Sequence, residues 1–180
     1  MTPKEENGLE RSVVEWIESI VFATALLIVV FVFFFRAVTV SGPSMIPTLQ
    51  SGDKIIVRSI GYTAARGDVV VVDGYNKYGD PLVKRVIGVG GDQVDIDFAT
   101  GVVTVNGAAI DEPYLGTPTN RAGDVSFPLT VPSGMVFVMG DNRQVSLDSR
   151  WQQIGFIDTR DLLGKVIFRV LPFTAIGAIE

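Results

Sequence analysis

Residues 20–35 read IVFATALLIVVFVFFF, sixteen positions without a charge and with one polar side chain, Thr24. With residues 16–19 the stretch reaches about 20 residues and roughly 30 Å of helix, enough to cross the hydrocarbon core of a bilayer. Glu18 then falls near one interface beside Trp16, and Arg36 marks the other. The stretch predicts a single membrane span. Two further readings compete with it: a buried core helix, ordinarily shorter and less uniformly apolar, and a cleaved export signal with Ala37 and Thr39 near the cut. The export reading suits the preceding residues poorly, because Glu5, Glu6, Glu10 and Glu15 outnumber Lys4 and Arg11 where a positive start is needed. Two basic residues before the span against one closely after it favour, by a small margin, a cytoplasmic N-terminus.

Composition then removes several chemistries. The 180 residues carry 15 basic and 20 acidic side chains, a net charge of -5, with no long basic run, which argues against nucleic acid as a partner. There is no cysteine and no histidine. Disulfides, thiol nucleophiles and thiolate metal sites are excluded, and the commonest metal ligand and general base are missing. We therefore expect no metal and no cofactor.

Beyond Arg36 the texture changes to short Val and Ile runs bounded by Gly, Asp and Pro, the pattern of strands. KIIVRSI at 54–60, DVVVVD at 68–73, PLVKRVIGV at 81–89, VPSGMVFVMGD at 131–141 and KVIFRVL at 165–171 are the candidates. In VDIDFATGVVTVNG at 94–107 the apolar residues alternate with acids, pass Thr100-Gly101 and resume at Val103 and Val105, which predicts a hairpin. The reading is a mainly β domain of roughly 140 residues, long enough to bury one core. Near the end, residues 166–179 read as a buried strand followed by a Pro-containing loop.

Three stretches carry possible chemistry. Ser44, in SGPSMIPTLQSGD at 41–53, lies eight residues after Arg36, within about 30 Å of extended chain. Pro43 and Pro47 restrict the backbone around it, and Gly42 allows a close approach by another chain. An ordinary Ser-Gly-Pro turn fits the same residues. If Ser44 is a nucleophile its base must be Lys, Asp, Glu or Tyr, and a lysine serves only when dehydration lowers its pKa. Lys84 is the candidate: the period of a strand puts it on one face with Leu82 and Val86, leaving Val83, Arg85 and Ile87 on the other, with Arg85 expected to be solvated. An edge strand bearing two surface charges is the competing reading. The third stretch, GDNRQVSLDSR at 140–150, can project Ser146 towards a lysine amine while Asp148 and Arg150 pair to stiffen the loop, or it can be a solvated turn with a surface ion pair.

Taken together, VSGPSMIPTL at 40–49, RGDVVVV at 66–72, PLVKRVIGVGGD at 81–92 and GDNRQVSLDSR at 140–150 resemble the bacterial type I signal peptidases, membrane-anchored serine proteases with a Ser/Lys dyad, in the order found in that family. The resemblance implies a β-sheet catalytic domain with a small appended β region, preceded by one transmembrane helix. It implies Ser44 as nucleophile, Lys84 as general base, Ser146 as the hydroxyl that positions the lysine, and Asp148 with Arg150 as its support. Gly42, Pro43 and Met45 beside the nucleophile, and Pro81, Leu82 and Val83 before the lysine, are the expected oxyanion and substrate-binding positions, pairing with an extended peptide. Some members carry a serine where this chain has Gly42, so the oxyanion is expected to rely on the Ser44 backbone N–H and a further donor. Gly90 stands where the family commonly has proline.

The expected organisation is a short tail over residues 1–12, an anchor over 13–36 and a catalytic domain over 37–180. Expected partners are signal peptides of secretory preproteins with small residues before the cut, and membrane lipid. The expected place is the cell membrane, single-pass, with the catalytic domain on the extracytoplasmic face. Two alternatives stay open: a membrane-tethered β-rich binding domain without catalysis, and a Ser/Lys autoprotease.

Overall fold

The computed structural model describes residues 3–179, with side chains described for residues 13–29, 31 and 34–179. Two units are distinct, Met1–Phe35 and Arg36–Glu180. The first contains α1 (Pro3–Phe34), one continuous helix of 32 residues. Every described side chain from 13 to 29 is exposed, including Trp16, Phe22 and Leu27. Among the described residues, no helix is long and apolar enough to cross a membrane.

Among the described residues twelve strands follow: β1 (Phe35–Thr39), β2 (Lys54–Arg58), β3 (Val69–Val72), β4 (Leu82–Val89), β5 (Gln93–Asp97), β6 (Val102–Val105), β7 (Ala108–Ala109), β8 (Leu129–Thr130), β9 (Met135–Met139), β10 (Ile157–Asp158), β11 (Leu162–Leu171) and β12 (Gly177–Ala178). They form an eight-stranded sheet in the order β1-β2-β11-β3-β4-β9-β10, with β12 folded back on β11, and a four-stranded sheet in the order β7-β6-β5-β8. The mainly β reading with a small appended β region holds. So does the 94–107 hairpin, whose register pairs Val94 with Val105 and Ile96 with Val103.

The period of two along a strand decides which core each residue enters. In β3 all four valines are buried: Val69 and Val71 join Met45, Leu49, Ile55 and Val57, while Val70 and Val72 join Val86, Val136 and Val138 on the other face. Each such burial removes an aliphatic side chain from water at a gain of roughly 1.5–3 kcal/mol. In the hairpin, Val94 and Ile96 point inwards with Ile87, Phe137 and Met139, and Asp95 and Asp97 are exposed. At the C-terminus β11 runs between β2 and β3, and after Pro172 the chain exposes Phe173 before β12 pairs back onto Phe168 and Arg169.

For the site, the position of β4 matters most. It lies between β3 and β9, and from Lys84 to Gly88 every residue is buried. This corrects one expectation: Arg85 is not the solvated cation of its strand but is 2% exposed, because a strand covered on both faces has no solvent side to offer it.

Candidate active site

The loop after β1 is closed by Val40 N–H to Asp53 O at 2.8 Å and Gly52 N–H to Val40 O at 2.9 Å. Within it Met45 and Leu49 sink into the core, and Leu49 N–H donates to Met45 O at 2.9 Å. The anchored methionine leaves the preceding residue, Ser44, half-buried at the loop surface. Gly42 adopts φ +83°, a left-handed backbone that strains any residue with a Cβ. Asn142 grips the turn from the 140–150 loop: its N–H donates to Ser44 O at 2.9 Å and its Nδ2 to Pro43 O at 3.2 Å.

Lys84 enters from β4, paired in register with Val70. Its Nζ donates to Ser44 Oγ at 2.8 Å and to Val83 O at 3.1 Å. The residue is 3% exposed, and burial lowers its pKa from 10.5 to about 8 against the opposing pull of the Asp148 and Asp141 carboxylates. Burial prevails because each carboxylate already has a buried cation. Arg150 binds Asp148 through Nε and Nη2, both at 2.9 Å, and neither residue is exposed. Arg85 binds Asp141 in the same two-pronged way at 2.9 and 2.8 Å, donates to Gly67 O at 2.7 Å and lies 3.7 Å over the Tyr114 ring. Such forks satisfy both carboxylate oxygens and spread the negative charge away from the amine.

The 140–150 loop is therefore no solvated turn. Arg143, fully buried, donates Nε to Gly140 O at 3.1 Å and pairs with Glu112. Gly140 N–H donates to Asp148 Oδ2 at 3.0 Å. A Cβ on Gly140 would overlap both Ser146 Oγ and Ser44 O, so glycine lets these two elements meet. Ser146 itself departs from expectation: its Oγ is buried and has no hydrogen-bond partner, so the bond to Lys84 is not formed. A buried hydroxyl without a partner is uncommon in a native fold.

Ser44 and Lys84 lie in a groove of about 490 Å³ that Pro81, Leu82 and Val83 also line, as the sequence suggests. Met45 does not wall it with its side chain, which is 1% exposed in the core, and Gly42 and Pro43 flank it without lining it. The sequence reading missed Val38, Val71, Tyr78 and Asp80 in the groove, and the Arg85–Asp141 and Arg143–Glu112 pairs. The first four come from three separate segments that only the sheet brings together. An available signal for the arginines was their place in strongly apolar or Gly-Asp-Asn surroundings, where a cation has to be paired.

A half-buried hydroxyl, a dry amine at hydrogen-bond distance and a groove beside them suit acyl transfer at an extended peptide. Comparison with known proteins agrees in kind. Residues 13–171 match the family model described as signal peptidase, peptidase S26. A signal peptidase I of Bacillus licheniformis is 37% identical over 98% of both chains. A signal peptidase IB of Staphylococcus aureus (strain COL) is 38% identical over 92% of this chain and 93% of that one. A solved signal peptidase I from Enterococcus faecalis V583 aligns with a TM-score of 0.48 at 28% identity, over 58% of this chain and 97% of that chain. On the family match and the near full-length identity, this chain belongs to the signal peptidase family, peptidase S26.

Proposed function

We propose that this protein removes N-terminal signal peptides from secretory preproteins, with Ser44 as nucleophile and Lys84 as general base. The observation that carries the reading is the 2.8 Å contact between Lys84 Nζ and Ser44 Oγ, with the lysine 3% exposed and both residues lining one groove. In the ammonium form Nζ donates to Oγ. Once the amine has lost a proton the bond reverses, and Oγ–H donates to the nitrogen lone pair.

The reaction follows from that reversal. Neutral Lys84 takes the hydroxyl proton as Oγ bonds to the carbonyl carbon before the cleaved bond. The resulting ammonium returns a proton to the departing amine, which leaves an ester on Ser44. Water then gives a proton to Lys84 and attacks the ester, releasing the signal peptide and restoring the serine hydroxyl. The Ser44 backbone N–H is the proposed donor to the developing oxyanion, with Gly42 and Pro43 setting the turn that presents it. Ser146 is proposed to steady the neutral amine once its hydroxyl, buried and without a partner in this structure, turns towards Lys84. Asp148 and Arg150 hold the loop.

We read residues 13–36, all but the last two of them in α1, as a single-pass anchor in contact with lipid, its N-terminus cytoplasmic and the catalytic domain on the extracytoplasmic face. Support comes from the uncharged stretch 20–35 and from large apolar side chains exposed all round the helix, which water would not tolerate. The test is to incubate the detergent-solubilised protein with a secretory precursor whose signal ends in Ala-x-Ala. Wild type should release the mature protein and Ser44→Ala should not. Equal cleavage by both would reassign the nucleophile.

A further inference from the structure

The loop that joins β3 to β4, residues 73–81, is rigid for reasons unconnected with catalysis. Asn76, 6% exposed, sits at its centre. Its Nδ2 donates to Asp73 O and, at 2.7 Å, to Asp80 O, while its Oδ1 accepts from Tyr78 N–H at 2.8 Å and Gly79 N–H at 3.1 Å. Lys77 Nζ ties the loop to Gln152 O at 3.1 Å, and Tyr78 packs against the Val70 and Val72 core. The outcome is that Asp80 occupies a set position in the groove that contains Ser44 and Lys84.

Asp80 is exposed, and among the described residues its carboxylate has no ion-pair or hydrogen-bond partner. The ammonium of Lys77, three residues earlier in the chain, donates to Gln152 O. The groove is lined as well by valines, Leu82, Thr39, Ser41 and Tyr78, and its basic group, Lys84, reacts as a neutral amine. In the reactive state the groove therefore has one acidic side chain, Asp80, and no charged basic one. Asp80 precedes Lys84 by four residues, itself and Pro81 lying ahead of the start of β4, so that at most roughly 13 Å of chain separates the two. A peptide strand laid along Leu82–Lys84, ahead of the β9 pairing that starts at Arg85, and matched residue for residue with its reacting carbonyl at Ser44, presents its first, third and fifth side chains on one face, the fifth level with Asp80.

We propose that Asp80 is a specificity-determining residue that favours a cationic side chain, Lys or Arg, at the fifth position before the cleaved bond. This rests on the functional reading above. The contact is an ion pair at a partly wet rim, so its size is modest and it is sensitive to salt.

The test uses full-length detergent-solubilised enzyme and three precursors that differ only at that position, Lys, Gln or Glu. Wild type should show kcat/KM in the order Lys, Gln, Glu, with a Lys to Glu ratio of roughly three- to tenfold at low salt. The ratio should shrink in about 0.5 M salt. Asp80→Asn should flatten the series and Asp80→Lys should invert it. Cleavage by wild type with equal rates, or a ratio unmoved by both substitutions, overturns this inference alone. So does a charge preference that appears only at the fifth position after the cut. If wild type cleaves none of the three, the signal-peptidase reading falls and takes this inference with it.

Discussion

Lys84 Nζ and Ser44 Oγ stand 2.8 Å apart although 40 residues separate them, one on the central strand β4 and the other on the loop after β1. Asn142 stitches the serine turn from a third segment, so the pair is held from both sides of the contact. A lysine with its pKa lowered to about 8 is partly neutral at ordinary pH, which is the property a proton acceptor needs.

The first prediction concerns pH. With Lys84 as base, kcat/KM for a precursor should rise with pH and reach half its plateau near pH 8, the point at which the buried amine loses its proton. Lys84→Arg should lower turnover by at least about a thousandfold at every pH, because guanidinium does not deprotonate in proteins. A full-activity arginine variant, or a profile without an alkaline limb, would remove Lys84 from the mechanism.

The second prediction is a stability gain on losing function. The folded protein holds Lys84 at a pKa below the ordinary 10.5, so between about pH 8 and 10.5 the unfolded chain binds the extra proton and stability rises with pH. Below about pH 8 the full cost of burying the amine is present. Lys84→Met fills similar space without a charge and should stabilise the protein at pH 7 by about 2–3 kcal/mol, with the advantage closing as pH approaches 10.5. Denaturant midpoints of the two proteins across pH 6 to 10.5 measure it, and a constant offset would contradict the assignment.

The third prediction is steric. Gly140→Ala places a methyl group against both Ser146 Oγ and the Ser44 carbonyl oxygen, and the second of these belongs to backbone that Asn142 also holds. We expect kcat to fall by roughly a hundredfold, as for a displacement of reacting groups of about 1 Å. The loss of stability should be near 1–3 kcal/mol. An alanine variant with unchanged kcat would show that the loop can yield without moving Ser44.

How far the residues announce all this differs from element to element. The strands of 68–73, 81–89 and 94–107 were readable because alternation and β-branched runs are local, and they form where expected. The pairing of Ser44 with Lys84 was readable through elimination of histidine and through resemblance. Arg85 was misread because its fate depends on neighbours: β9 covers one side of β4, Asp141 arrives from beyond β9, and Tyr114 stacks from another loop. Ser146 was expected to touch the lysine, yet its hydroxyl is buried without a partner, an orientation that the local sequence does not fix.

What the sequence alone determined was therefore the period of each strand, the apolar stretch 20–35 and the absence of imidazole, all properties of residues near one another or of the chain's inventory. Only the tertiary structure decided that Lys84 is dry, which carboxylates stand near it and which arginines neutralise them, and that Asp80 reaches the same groove. Desolvation and charge pairing depend on the atoms that surround a group from every direction, and in a sheet most of those come from strands distant along the chain.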